Sequence, residues 1–284
     1  MSLPNLFVNR IDCWHDTRDI CAKMPLPPDS IKTTYNPTWR NMNKRRISHV
    51  QFVNKDAIDL ALELMGSRPL VLNLADDNFA GGCVNQGSGA QEESLFRRTN
   101  YFQTLTDDFY PILDDEAVYS PEVTVIKTSE ASGWQVIPSE NRPILSFVAC
   151  PGLKYPELVG ESDFSEDQEE REPRLLEEDV EILKRKIALV IQTAVQYHHD
   201  TIVFGALGCG AWRNPPKHVA EIFKYVLDSY DGVVLNYVFA ILTTKDDNFI
   251  AQRKMDGNKP TCDVFKKVFG QGDEILQPGK ERDS

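Results

Sequence analysis

The 284-residue sequence has no apolar run near the ~20 residues a membrane-spanning helix needs. Met1 to Asp12 lacks the charged-then-apolar order of a secretory leader. There is no C-x-x-C pair, and Cys13, Cys21, Cys83, Cys150, Cys209 and Cys262 form no regular framework, which predicts free thiols. Cys13, His15 and Cys21 lack a fourth ligand and the spacing of a zinc site, so no metal is expected. The G-x-G-x-x-G fingerprint is missing too: Gly82, Gly87 and Gly89 do not form it, which argues against a dinucleotide-dependent oxidoreductase. No internal repeat is visible. These absences lead to the expectation of a monomeric cytoplasmic or nuclear protein with no membrane association and no cofactor.

What is present begins with charge. The formal net charge is −12 with 41% hydrophobic residues, an ordinary globular composition. Between Glu157 and Glu181 stand 12 acidic residues against Arg171 and Arg174, a net of −10 that leaves only −2 for the rest. The body of the protein is therefore almost neutral, and the acidic stretch is expected to project from it as a loop insert at about 156–176.

Residues 1–47 carry Pro4, Pro25, Pro27, Pro28 and Pro37 and predict an irregular extension, with at most short helices, that wraps the core. Apolar spacing predicts helices over 50–66, 179–197 and 216–230. Near-continuous apolar runs at 69–75, 144–149, 201–206 and 233–242, and a shorter one at 123–126, predict strands, most of them buried on both faces. The sum is an α/β protein, a three-layer α/β/α domain over 48–269 with a mixed central sheet, and a disordered tail at 270–284.

The chemistry concentrates in Ala80-Gly81-Gly82-Cys83-Val84-Asn85-Gln86-Gly87-Ser88-Gly89-Ala90-Gln91-Glu92-Glu93, which follows a strand and enters a helix marked by Leu95, Phe96, Thr99, Phe102 and Leu105. Glycines let main-chain N–H groups converge on an anion, and a helix N-terminus adds positive potential. Gln91-Glu92-Glu93 alone is also what an ordinary acidic first turn looks like. A second strand runs into Gly205-Ala206-Leu207-Gly208-Cys209-Gly210-Ala211-Trp212. A tight turn accounts for one or two of those glycines less easily than for three in six residues, and a diphosphate bridging both loops accounts for all of them.

These two loops resemble the microbial-type poly(ADP-ribose) glycohydrolases, catalytic members of the macrodomain fold, over about residues 12–269. The resemblance implies release of ADP-ribose by cleavage of ribose–ribose O-glycosidic bonds, with Glu93 as general acid and then base and Glu92 holding ribose hydroxyls. It implies that Gly81, Gly82 and Gln91 in the first loop, and Gly205, Gly208, Cys209, Gly210 and Ala211 in the second, contact ADP-ribose or poly(ADP-ribose). Trp212 packs against a ligand ribose or base on this view, and Asn78 serves the distal ribose, although each also suits a core or turn role. Ala80 stands where the first loop glycine is expected, and an alanine would be strained there if φ must be positive. A hydrolase of mono-ADP-ribosylated proteins, or a module that binds ADP-ribose without cleaving it, remains open on residue types alone.

Overall fold

A computed structural model describes residues 3–39, 47–159, 172–243 and 260–271. In chain order the elements are α1 (Leu3–Cys21), β1 (Ile31–Thr34), β2 (His49–Val53), α2 (Ala57–Glu63), β3 (Pro69–Asn73), α3 (Gln91–Arg98), β4 (Glu116–Thr124) and β5 (Ile144–Ala149). A two-stranded ribbon, β6 (Leu158–Val159) with β7 (Arg174–Leu175), precedes α4 (Glu177–Gln196), β8 (Thr201–Phe204), α5 (Pro216–Ser229), β9 (Asn236–Ala240) and α6 (Thr261–Val268).

The main sheet has seven strands in the order β1-β4-β5-β3-β8-β9-β2. β5, β3, β8, β9 and β2 run parallel, while β4 is antiparallel to both of its neighbours. Strand residues alternate between two cores. Leu70, Leu72, Ile202, Phe204, Tyr237 and Phe239 face the layer built from α4, α5 and α6, whereas Val71, Val203 and Val238 face the layer of α1, α2 and α3. Covering both faces is why these strands read as unbroken apolar runs rather than as alternating ones. The fold is the expected mixed α/β/α sandwich.

Local expectations fail in three places. The helix expected over 50–66 is divided: His49–Val53 pairs in parallel with Asn236–Ala240 as the sheet edge, Ala57–Glu63 is α-helical, and a 3-10 turn at Met65–Ser67 follows. Asp56 sets that boundary by accepting from the N–H groups of Ile58 and Asp59. Among the described residues, the extension is regular over much of its length; it holds a 19-residue helix and a strand of the sheet. Pro4 is compatible because a proline in the first helical turn removes no intrahelical bond. The helix starting at Gln91 stops at Arg98, where Thr99 turns into a bridge with Val125, so Phe102 and Leu105 lie beyond it. The greater part of the acidic insert (160–171) and of the tail (272–284) lies outside the described residues. Gln271, the last described residue, donates to the Val50 carbonyl.

Candidate active site

The C-terminal end of β3 carries the site. Gln91, the first residue of α3, latches the helix to that strand, its amide accepting from Leu74 N–H (2.9 Å) and donating to the Leu72 carbonyl (2.7 Å). The next two residues are the carboxylates. Both are buried, Glu92 at 3% and Glu93 at 6% exposure.

Their environments differ sharply. Glu92 Oε2 accepts from Asp76 N–H (2.7 Å), and its Oε1 accepts from Asn73 Nδ2 (3.1 Å), Gly81 N–H (3.3 Å) and, at a long 3.4 Å, the Tyr110 hydroxyl. Burial pushes its pKa up to about 8, while the donors from Asp76, Asn73 and Gly81 pull against that shift. Glu93 Oε1 accepts from Cys83 N–H (3.0 Å), and its Oε2 has no partner among the described residues. The Oδ1 of Asn73, also buried, is equally unpaired.

Glycine at 82 is required by these carboxylates. Its φ is +51°, and a Cβ there would lie 2.8 Å from Glu93 Oε1 and 3.3 Å from Glu92 Oε2. Gly81, at φ +77°, presses on the Phe96 ring. Ala80 keeps an ordinary backbone conformation, so the strain anticipated for it does not arise, and its N–H is taken by Asp107.

The second loop follows β8, the neighbour of β3, and so stands beside the first. Gly208 (φ +75°) is pressed against the side chain of Asn214 on one side, and its main chain lies 2.8 Å from where a Cβ on Gly152 would fall. Asn214 donates to the Leu153 carbonyl (2.6 Å) and fastens this loop to the one leaving β5. Gly205 and Cys209 are buried, Gly208 and Gly210 partly so, and Ala211 is exposed. Trp212 is half-buried, with the Lys154 ammonium 5.6 Å from its ring.

The structure thus gathers Gly81, Gly82, Glu92 and Glu93 at one point and sets 205–212 alongside. Gln91 serves the scaffold with both ends of its amide. Asn78 is exposed, its N–H held by Asp76 Oδ1 in a turn. Burial and nearby Glu93 raise the Cys83 thiol, so this residue is not an activated sulfur. Sequence reasoning missed Asn73, Asp76, Tyr110 and Arg97. A buried asparagine ending an apolar strand was a readable signal for Asn73, and the four-residue spacing from Glu93 was one for Arg97. Tyr110, on a distant loop, left none.

The site is thus a carboxylate pair at a helix start beside two glycine loops on an α/β/α fold. Residues 28–128 match the family model of the microbial-type PARG catalytic domain, a span that includes the first loop and Gln91-Glu92-Glu93 but not the second loop. No curated protein matches the sequence. Among solved structures, the poly(ADP-ribose) glycohydrolase of Thermomonospora curvata is similar at 20% identity and TM-score 0.68, over 92% of this chain and 99% of that one. The same enzyme bound to the inhibitor ADP-HPD is similar at 21% and 0.66, over 91% and 98%. The Deinococcus radiodurans poly(ADP-ribose) glycohydrolase in complex with ADP-ribose is similar at 19% and 0.59, over 95% and 99%. The fold is the macrodomain-like fold of these proteins.

Proposed function

We propose that this protein is a poly(ADP-ribose) glycohydrolase that releases ADP-ribose from chain ends. One observation carries the proposal: on this fold, in a glycine loop, a buried carboxylate pair divides its labour by hydrogen bonding. Glu92 has three donors on Oε1 and one on Oε2, which suits a group that stays in place and offers its remaining acceptor position to a ribose hydroxyl. Glu93 has one oxygen fixed by Cys83 N–H and the other unpaired, which suits a group that moves a proton.

The reaction follows from those roles. Glu93 delivers its proton to the leaving ribose oxygen as the C1–O bond breaks, and the resulting carboxylate takes a proton from the water that adds to C1. On this reading the 205–210 loop meets the diphosphate with main-chain N–H groups and Trp212 flanks the sugar, while Gly81 and Gly82, whose N–H groups bond Glu92 and the Phe79 carbonyl, keep the backbone clear of Cβ atoms there.

The test is ADP-ribose release from purified poly(ADP-ribose) by the wild type and by Glu93→Gln, with ADP-ribose affinity measured by calorimetry. The variant should lose roughly 10²–10⁴-fold in rate and keep its affinity. Binding by both proteins without release by either would instead indicate a reader, or an enzyme that acts on mono-ADP-ribosylated proteins.

A further inference from the structure

Among the described residues, six that are not glycine hold a left-handed backbone, and two of these stand beside the second glycine loop. Tyr155 (φ +50°) follows Lys154 on the loop leaving β5, and Arg213 (φ +59°) follows Trp212. Because the Lys154 ammonium lies 5.6 Å from the Trp212 ring, both strained residues flank a single contact. Both are exposed, so neither conformation serves to bury its own side chain. A left-handed backbone disfavours any residue with a Cβ, and such strain persists where the surroundings over-determine it, commonly at binding sites.

The turn at Arg213 is pinned on both sides. Its N–H donates to the Gly210 carbonyl (3.2 Å), Asn214 N–H donates to the Gly208 carbonyl (3.1 Å), and Asn214 Nδ2 donates to the carbonyls of Leu153 (2.6 Å) and Trp212 (3.3 Å). Residue 213 is thereby folded back onto the glycines of the second loop. None of these contacts needs an arginine, and glycine would make them without strain. The guanidinium is what glycine lacks. Arg68, the other left-handed arginine among the described residues, has its charge paired with Asp200 at 2.8 Å. Cations around the second loop are paired as well: Lys154 with Asp77 (2.8 Å), Arg174 with Glu221 (3.0 Å), and Lys217 with Glu172. Arg213 has no ion pair and no side-chain hydrogen bond among the described residues. In a chain of net charge −12, that leaves a cation at the rim of a glycine loop available to an anion.

We propose that Arg213 is an affinity-determining residue that contacts the diphosphate of ADP-ribose from the rim of the second loop, and that an arginine occupies a backbone suited to glycine for the sake of this contact. The inference rests on the reading of the site as one for ADP-ribose. A guanidinium suits the task, since its planar fork of N–H donors matches phosphate oxygens and keeps its charge at every working pH. The turn from Gly210 to Arg213 brings the side chain's origin next to the glycines that meet the diphosphate on that reading.

Three substitutions separate the charge from the backbone. Arg213→Ala removes the guanidinium and keeps the Cβ, Arg213→Gly removes both, and Arg213→Lys keeps a cation. The calorimetric Kd for ADP-ribose at low salt should rise about fivefold in the alanine and glycine variants alike, and by less in the lysine variant. Its dependence on salt should flatten in the first two. The melting temperature should be higher in Arg213→Gly than in Arg213→Ala by roughly 2 °C. Stability gained while affinity is lost is a combination that a merely structural residue would not give. A wild-type Kd in Arg213→Ala overturns the proposal, as does a Kd that changes in the glycine variant alone, which would assign the effect to the backbone. Equal melting temperatures in the glycine and alanine variants would remove the strain and overturn it too. A wild type that does not bind ADP-ribose overturns the reading of the site first, and this contact with it.

Discussion

Glu93 and Arg97 stand one helical turn apart on α3 and hold opposite ends of the same turn. Glu93 Oε1 accepts from Cys83 N–H at 3.0 Å, Arg97 Nη1 donates to the Ser88 carbonyl at 2.7 Å, and Ser88 N–H closes on the Cys83 carbonyl at 3.4 Å. Arg97 is 1% exposed, and its Nε and Nη2 have no partner among the described residues. Burial pulls its guanidinium down to about 10, with the charge of Glu93 opposing that shift. α1 backs the assembly: Thr17 Oγ1 donates to the Arg97 carbonyl, Trp14 Nε1 donates to Asn85, and Arg10 packs against Gly89.

Arg97→Met should therefore loosen the loop more than the fold. It leaves the Ser88 carbonyl unpaired, a loss of about 1–3 kcal/mol, and it removes a cation from beside Glu93. Turnover should fall further than ADP-ribose affinity. Thermal melts with single-turnover kinetics check this, and a variant with wild-type turnover would show that the turn stands without its arginine.

Two glycines with similar backbones should respond differently to alanine. Gly82→Ala puts a methyl against both carboxylates at φ +51°, whereas Gly133→Ala, at φ +79°, meets nothing within 4 Å. Both variants should carry backbone strain of about 1–2 kcal/mol. Only Gly82→Ala should abolish ADP-ribose release, because only there must Glu93 move. Equal activities in the two variants would refute the steric account.

The pH dependence of stability should carry the signature of Glu92. Its folded pKa, raised to about 8, lies above its ordinary carboxylate value, so between about pH 4.5 and 8 the folded state holds a proton that the unfolded chain has released. Stability from this residue is complete below that window and declines as pH rises through it, by up to about 1.4 kcal/mol per unit. Denaturant midpoints at pH 5 and pH 8 should show Glu92→Gln gaining on the wild type at the higher pH. Parallel pH profiles would mean that the donors around Glu92 outweigh its burial.

Gln91→Ala separates a scaffold role from substrate contact. It strips partners from Leu74 N–H and the Leu72 carbonyl, so the melting temperature should drop by the equivalent of about 1–3 kcal/mol. The folded protein should bind ADP-ribose with unchanged affinity. A selective loss of affinity with full stability would return Gln91 to the binding site.

The strand, glycine loop and acidic helix start were legible because each is a local pattern: an apolar run, glycines without Cβ, and carboxylates at a helix N-terminus. The misread segments were those where tertiary pairing overrode local pattern. Val50 to Val53 share the apolar spacing of the helix that follows them, yet the open edge of β9 recruits them as a strand. The prolines of residues 1–47 suggested an irregular extension with at most short helices, but the long α1 is held by Trp14 packing on Phe96 and Phe102.

By itself the sequence determined the strand, glycine loop and helix succession at β3 and at β8, the two-sided burial of the parallel strands and the pairing of two carboxylates with a glycine loop, because these depend on neighbours along the chain. Only the tertiary structure decided which carboxylate is held by several donors and which by one. Asn73 at the end of β3, Asp76 just beyond it and Tyr110 from the loop before β4 converge on Glu92, while Glu93 keeps an oxygen with no partner among the described residues. Hydrogen-bond capacity at a buried group is shared out by whatever the folded sheet brings within about 3 Å, and no spacing along the chain encodes that.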